Sequence, residues 1–259
     1  MAHGTPAPAS VASTRTQSER GFTSFDLKIV AIACMTFDHA AFVFIDVFPF
    51  WVVCLMMAVG GATFPLMAFQ LVEGYHHTSN LKRYCLRLGA FALVAQIPYG
   101  LFLSANLNIL FTLLIGLVVL YLDDRVQNRA AALGCLAAGC LLSIFCDWAV
   151  IGVALIYMFK KFPEQGSARR ATACAACLFS GLCTALPAVG DMVASATLGQ
   201  LPFALFGIVG SFIAFEMIAR YDGRRGRPLK YFFYVYYPGH IAVLGCLYLL
   251  LFGAMPPIS

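Results

Sequence analysis

The sequence predicts an all-α protein, a polytopic transmembrane helix bundle of about nine spans with a cytoplasmic N-terminus. Hydrophobic residues make up 61% of the 259 residues and charged residues only 11%, whereas a soluble domain carries about 25% charged residues. Apolar segments recur along the chain, and the basic residues fall in alternate connections between them. Because a soluble protein of this composition would expose much of its apolar surface, we expect the lipid bilayer as a partner.

Residues 1–24 are the exception, since they are rich in Ala, Ser, Thr and Pro. They contain no apolar run of the kind that marks a cleavable signal peptide. We therefore expect a disordered cytoplasmic tail over residues 1–24, followed by a single transmembrane helical domain over residues 25–259.

Hydropathy predicts nine helical segments in that domain. Their bounds are roughly 27–47, 50–72, 83–103, 107–122, 129–146, 148–160, 170–188, 200–219 and 231–252. A helix needs about 20 residues to cross a bilayer, so the fourth and sixth segments are short and would be tilted or partly re-entrant. The chain shows no strand-like alternation and no obvious internal repeat.

The basic residues predict the orientation of these segments. All 17 Lys and Arg residues lie at the N-terminal end or after the second, fourth, sixth and eighth segments. The opposite connections carry only acidic residues or no charge. Because basic loops remain cytoplasmic, we expect a cytoplasmic N-terminus and a C-terminus on the far side. A basic cytoplasmic face also suits an anionic ligand such as CoA, and we expect no nucleic-acid partner.

Three ionisable residues, Lys28, Asp38 and His39, lie in or beside the first apolar segment. On a helix, Lys28 and His39 would be about 16 Å apart along the axis at ~1.5 Å per residue. A charge at the bilayer centre costs roughly 2.5–3.5 kcal/mol, which favours a functional role. His39 can act as a general base, whereas the alternative for both Asp38 and His39 is hydrogen bonding between helices.

The final segment contains the second candidate group. His240 lies near the middle of this segment, at a depth similar to that of His39, and Tyr237 precedes it on the same face. Pro238 and Gly239 would loosen the helix and free backbone groups for a cavity. His240 is therefore predicted to be catalytic or to make an interhelical hydrogen bond, with Tyr237 orienting the substrate.

The remaining candidates are phosphate-binding or orienting residues, each with an alternative structural explanation. A Gly-rich basic loop that includes Arg224 and ends near Lys230 can bind phosphates or only set the orientation. Arg83 and Arg87 can do the same, although Arg87 can also extend to the interface. Substrate-orienting or structural roles are predicted for a further set: Asn108, Gln96 and Glu73.

Metal chemistry is not expected from this sequence. His76 and His77 would need two further ligands that the chain does not supply at a suitable spacing. The ten cysteines lie almost entirely in apolar runs, where Cys packs as a small hydrophobe. The Cys174–Cys177 pair is therefore predicted to pack within its helix, with redox or metal binding as the alternative.

Five stretches, in order from Phe25 to Leu244, resemble the TraX family of conjugation-associated membrane proteins. They are Lys28-x-x-Ala31-x-x-x-Met35-x-x-Asp38-His39, Phe64-Pro65-Leu66, Arg87-Leu88 with Ala95-Gln96, Asn108-Ile109-Leu110-Phe111, and Tyr237-x-x-His240-x-Ala242-Val243-Leu244. The spacing of Lys28 and His39 is also similar to the Lys/Arg-x10-His pattern of broader transmembrane acyltransferases. The resemblance implies acetylation of a pilin N-terminus, with the basic residue holding acyl-CoA and the His serving the transfer.

The sequence therefore predicts an acetyltransferase of the bacterial inner membrane. Acetyl-CoA would bind from the cytoplasm, and His39 would act as general base, with Asp38 or His240 setting its tautomer. The acceptor would be a pilin-like peptide N-terminus or a glycan hydroxyl. Two alternatives are a proton-coupled small-molecule transporter, since buried His and Asp also serve proton relays, and a non-catalytic assembly factor for a surface filament.

Overall fold

The computed structural model describes residues 21–161, 167–227 and 230–257, with the side chains of residues 167–169 and 230–231 excluded. Most of the predicted tail, residues 1–20, lies outside the described residues. Within them the chain forms ten α-helices: α1 Ser24–Val43, α2 Phe50–Gly60, α3 Thr63–His76, α4 Leu81–Phe102, α5 Ile109–Arg125, α6 Arg129–Leu142, α7 Ala149–Lys160, α8 Ser167–Ser195, α9 Leu201–Ala219 and α10 Lys230–Phe252. A short 3-10 turn, Ser143–Phe145, follows α6.

Every predicted segment is helical in the described part of the chain, so the all-α prediction is confirmed. The second segment is divided at Gly61 and Ala62 into α2 and α3. By length and composition, five helical stretches of the described chain can cross a membrane: Phe50–His76, Leu81–Phe102, Arg170–Ser195, Leu201–Ala219 and Phe232–Phe252. The helix α1 has 20 residues but contains three charged residues, Asp26, Lys28 and Asp38. The helices α6 and α7 are shorter than a membrane span. The number of nine spans therefore remains a prediction.

The outward faces of the long helices are apolar, as a lipid environment requires. On α4 the exposed residues include Leu86, Leu93 and Ile97, and on α8 they include Leu182 and Val193. Soluble monomers rarely expose apolar surface on this scale. The chain is therefore a membrane protein.

Contacts between helix ends gather the basic connections at one end of the bundle. At this end the start of α1 pairs with the chain after α9, where Phe22 N–H donates to Arg220 O and Asp222 N–H donates to Phe22 O, both at 3.0 Å. The ends of α5 and α7 meet there too, because Lys160 forms an ion pair with Asp123 at 2.7 Å. We call this the basic end.

A break between α2 and α3 allows α9 to pack closely against them. A Cβ atom on Gly210 of α9 would overlap the backbone of Gly61, and one on Gly61 would overlap the backbone of Phe206. Small residues at such crossings let helix backbones approach in a bilayer. Another face of α3 packs against α1, where Thr63 Oγ1 donates to Ala31 O.

At the opposite end, Asn108 links α4 to α5. Its Oδ1 accepts from Leu110 N–H at 3.0 Å, and its Nδ2 donates to Ala92 O at 2.8 Å and to Gln96 Oε1 at 2.9 Å. Gln96 Nε2 donates in turn to Asn106 O at 2.9 Å. Asn108 is fully buried, so these bonds cap α5 and hold it to α4, and both amides are occupied by structural contacts.

We expect Asn108→Ala to lower the stability of the purified protein by roughly 2–4 kcal/mol, because it removes a helix cap and the side-chain hydrogen bonds to Ala92 O and Gln96 Oε1. Thermal unfolding in detergent would measure this loss. Asn106→Ala is the matched control, since Asn106 is exposed and contributes its backbone to the contact. Equal melting temperatures for the two variants would contradict the assigned role.

Candidate active site between the first and last helices

Two histidines meet between α1 and α10. His39 Nδ1 lies 2.7 Å from His240 Nε2, and the two rings are nearly coplanar, with 7° between their planes. Each residue is 8% exposed. The structure thus brings together two of the three predicted catalytic residues, from helices that are about 200 residues apart in the chain.

The hydrogen bonds assign a tautomer to each ring. His240 Nδ1 lies 2.9 Å from Tyr236 O, and a carbonyl oxygen can only accept, so neutral His240 carries its proton on Nδ1. His240 Nε2 is then an acceptor, and His39 must donate to it from Nδ1. The lone pair of His39 is therefore on Nε2, for which the described residues provide no hydrogen-bond partner, and this atom can accept a proton.

A second contact between the same helices holds His240 in place. The Tyr236 ring lies against the His240 ring, with centroids 5.1 Å apart and 13° between the planes. The Tyr236 hydroxyl lies 2.7 Å from Thr36 Oγ1, and Thr36 Oγ1 also donates to Ile32 O at 2.7 Å. Thr36 lies one turn from His39 on α1, so this contact fixes the register of the histidine pair.

A cavity of about 700 Å³ begins at the basic end and extends toward the histidines. Its lining runs along α1 from Ser24 to Met35, which is about 16 Å at ~1.5 Å per residue. The mouth is polar, whereas the closed end is formed by Met35, Leu110, Leu113 and Tyr237. This volume is within the range of sites that bind small molecules.

Among the described residues, four Lys and Arg side chains line the cavity, namely Lys28, Arg87, Arg225 and Arg227. The Arg87 guanidinium lies between the Tyr84 and Tyr234 rings, 5.3 Å and 5.2 Å from their centroids. Its Nε is buried and has no hydrogen-bond partner among the described residues. Positive charge around a concave mouth favours an anionic ligand.

Only part of the predicted phosphate-binding set lies at this cavity. Lys28 and Arg87 line it, whereas Arg83 is exposed and Arg224 is paired with Asp222 at 2.5 Å on the surface. The Lys230 side chain lies outside the described residues. Arg225 and Arg227 were not predicted as phosphate-binding residues, because nothing in the sequence shows which arginines of the basic loop point inward.

The predicted orienting residues fall into two groups. Glu73 lines the cavity mouth, where its Oε2 accepts a hydrogen bond from the Tyr221 hydroxyl at 3.2 Å. Tyr237 is at the closed end and is 2% exposed. Asn108 and Gln96 are engaged between α4 and α5, and they do not line the cavity.

Tyr237 separates the cavity from the histidine pair. Its ring centroid lies 6.1 Å from that of His39 and 5.9 Å from that of His240. It also interacts electrostatically with Asp147 and Tyr99. A ligand group that reaches His39 from the cavity therefore comes close to Tyr237.

Asp38 faces away from its neighbour His39 and does not hydrogen-bond to it. Its side chain packs on α2, where a Cβ atom on Gly60 would lie 2.6 Å from the Asp38 Cβ. Asp38 Oδ1 is buried without a hydrogen-bond partner among the described residues. His240, and not Asp38, therefore sets the tautomer of His39.

Asp147 joins Asp38 in a polar cluster at the end of the bundle opposite the basic end. The two carboxyl groups interact electrostatically. The Asp147 N–H donates to Leu107 O at 2.7 Å, which joins the connection between α6 and α7 to the connection between α4 and α5. Burial raises the pKa of Asp147 to about 6, despite opposing hydrogen bonds from the Trp148 backbone and the Tyr99 hydroxyl. Asp147 was not predicted from the sequence as a site residue.

Comparison with known proteins identifies the family of this chain. Residues 24–248 match the model of the family described as TraX protein. The chain is also 30% identical over 239 residues to the probable fimbrial assembly protein FimC, serogroup H1, of Dichelobacter nodosus, covering 86% of this chain and 94% of the relative. No solved structure matches the chain.

The raised pKa of Asp147 predicts a pH dependence of stability. The pKa of this carboxyl is 3.8 in the unfolded chain and about 6 in the folded protein, so stability falls as the pH rises from about 4 to 6. Above pH 6 the loss approaches about 3 kcal/mol at 1.36 kcal/mol per pKa unit. Asp147→Asn should therefore melt at a higher temperature than the unaltered protein at pH 8.

The control for this measurement is Asp46→Asn, because Asp46 is exposed on a connection at the same end of the bundle. We expect its melting temperature to follow pH as the unaltered protein does. A lower melting temperature for Asp147→Asn at pH 8, with an unchanged pH profile, would show that the Asp147 carboxylate stabilises the fold.

Proposed function

We propose that this chain, which belongs to the TraX family, is a pilus-related membrane protein that acts as an acetyltransferase. The donor is acetyl-CoA, which enters the cavity from the basic end. We assign this end to the cytoplasm and the protein to the bacterial inner membrane, because basic connections remain on the cytoplasmic side. The acceptor is a pilin-like peptide N-terminus or a glycan hydroxyl.

One observation carries this proposal: a cavity with a basic mouth leads toward a buried neutral histidine with an available Nε2. The mouth suits the phosphates of CoA, with Lys28, Arg87, Arg225 and Arg227 as the residues that would hold them. The apolar closed end suits the acyl end of the donor, which supplies an activated thioester. The unpaired Nε of Arg87 is a buried donor available to such a ligand.

His39 would act as a general base and then as a general acid. Its Nε2 takes the proton of the acceptor nitrogen or oxygen as the new bond to the acyl carbon forms. His39 then carries a positive charge, which its Nδ1–H bond to His240 stabilises. As the carbon–sulfur bond breaks, His39 returns the proton to the sulfur, and CoA leaves as the thiol.

Tyr237 and the polar cluster suggest where the acceptor would bind. Tyr237 lines the cavity and interacts electrostatically with Asp147, and we place the acceptor on the Asp147 side of His39, opposite to the donor. Buried carboxyl groups on Asp38 and Asp147 could attract an amine at that end. This arrangement would allow an acyl donor and an acceptor to meet from opposite sides of the bilayer.

A non-catalytic role in filament assembly is the second candidate. It is favoured by the name of the Dichelobacter nodosus relative, a probable fimbrial assembly protein. In that case the buried histidines would only join α1 to α10. The two roles differ in what substitution of His39 does to a protein that still inserts in the membrane.

We expect His39→Gln to lower acetyl transfer at least 100-fold, since general-base catalysis contributes about 10²–10⁴-fold. His240→Gln should lower it less, because His39 keeps its Nε2. The assay is transfer of labelled acetyl from acetyl-CoA in membrane vesicles, with free-amine peptides, N-blocked peptides and glycans as acceptors. Mass spectrometry of surface proteins from cells with and without the gene identifies the natural acceptor.

The matched control is His76→Gln, which makes the same replacement at an exposed position on the basic end. It should retain full activity. Equal transfer by His39→Gln and the unaltered protein would contradict the catalytic role. Normal filament assembly with His39→Gln would favour the assembly role, and proton-coupled flux into liposomes without acetyl-CoA would favour a transporter.

A further inference from the structure

Gln70 is a buried cavity residue with an unpaired donor. It lies on α3 and is 8% exposed, and the Ser24 hydroxyl donates to its Oε1 at 2.7 Å. Its Nε2 is buried and has no hydrogen-bond partner among the described residues. Both Ser24 and Gln70 line the cavity. Because buried polar groups are almost always hydrogen-bonded, this amide marks a place for an acceptor on a ligand.

The contact with Ser24 fixes both the position and the direction of the Gln70 amide. Ser24 is held by its backbone, since its N–H donates to Arg224 O at 2.8 Å. With Oε1 bonded to the Ser24 hydroxyl, the unpaired group of the amide is its Nε2 donor. The subsite therefore suits a hydrogen-bond acceptor such as a carbonyl oxygen.

The depth of this subsite indicates which part of a ligand it meets. Gln70 is level with the first turn of α1, because it bonds to Ser24, whereas Met35 at the closed end is about 16 Å further at ~1.5 Å per residue. Arg225 lies beside this turn, since its O accepts from Phe25 N–H at 3.2 Å, and both Arg225 and Arg227 line the cavity. Gln70 thus lies next to the basic loop, at the start of the path to the apolar end.

We infer that Gln70 donates a hydrogen bond to an amide carbonyl in the pantetheine arm of the acyl donor. A CoA thioester has its phosphates at one end, amide groups along the arm and the acyl group at the other end, which is the order of chemistry along this cavity. Gln70 is then a specificity-determining residue that distinguishes CoA thioesters from other anionic ligands. This inference rests on the proposed function.

The test compares two ligands on the full-length protein purified in detergent: CoA, and 3′-phospho-ADP, which is the nucleotide half of CoA without the arm. Calorimetry gives the Kd of each. We expect Gln70→Met to raise the Kd for CoA about fivefold to tenfold, the effect of one neutral hydrogen bond. The Kd for the nucleotide half should not change. Gln127→Met is the matched control, because Gln127 is exposed in the connection after α5.

Competition on the unaltered protein provides a test that does not depend on a variant's folding. Pantetheine, the arm without its nucleotide, should displace CoA from the unaltered protein and displace it less well from Gln70→Met. Failure of pantetheine to compete with the unaltered protein would overturn the inference. Equal CoA affinity of Gln70→Met and the unaltered protein would overturn it too. An equal loss of affinity for CoA and for 3′-phospho-ADP in Gln70→Met would also overturn it.

These outcomes are distinct from failure of the proposed function. If the unaltered protein binds neither CoA nor 3′-phospho-ADP, the acyl-CoA proposal itself is wrong. If it binds both and Gln70→Met changes neither, the acyl-CoA proposal stands and only the role of Gln70 is wrong.

Discussion

The hydrogen bond between His39 and His240 is the interaction on which the arrangement of the site depends. It joins the first and last helices in the described chain and places two imidazoles, each 8% exposed, in an apolar interior. A buried polar group without a partner is costly, so each histidine constrains the other. Because the Tyr236 carbonyl accepts from His240 Nδ1–H, the position of the proton on each ring is also fixed. His39 Nε2 therefore carries a lone pair and has no hydrogen-bond partner among the described residues.

The rest of the bundle supports this pair and gives access to it. Thr36 and Tyr236 fix the register of α1 against α10, while the pairing of residues 22–25 with residues 220–225 holds the start of α1 at the basic end. The same pairing forms part of the cavity mouth. The position of α1 therefore affects the packing of the helices, the shape of the cavity and the charge at its mouth.

Several features were predictable from residue type and spacing. Apolar segments separated by charges predicted the helices, because a chain in lipid must satisfy its backbone hydrogen bonds within each segment. Lys28 and His39 were selected because charge and imidazole are expensive at depth. Residue type and spacing did not distinguish Arg224 from Arg225, since adjacent arginines in a loop have the same chemistry and differ only in the direction of their side chains. They also missed Gln70, a neutral residue without a distinctive motif.

The sequence by itself determined that the chain is helical and enters a membrane, with basic connections in alternation and histidines at depth. These properties follow from local composition and from distance along one helix. Only the tertiary structure decided that His240, and not the adjacent Asp38, partners His39, because neighbouring residues on a helix point about 100° apart. It also decided which basic side chains line the cavity and that Asn108 and Gln96 join α4 to α5, since these contacts depend on how separate helices pack.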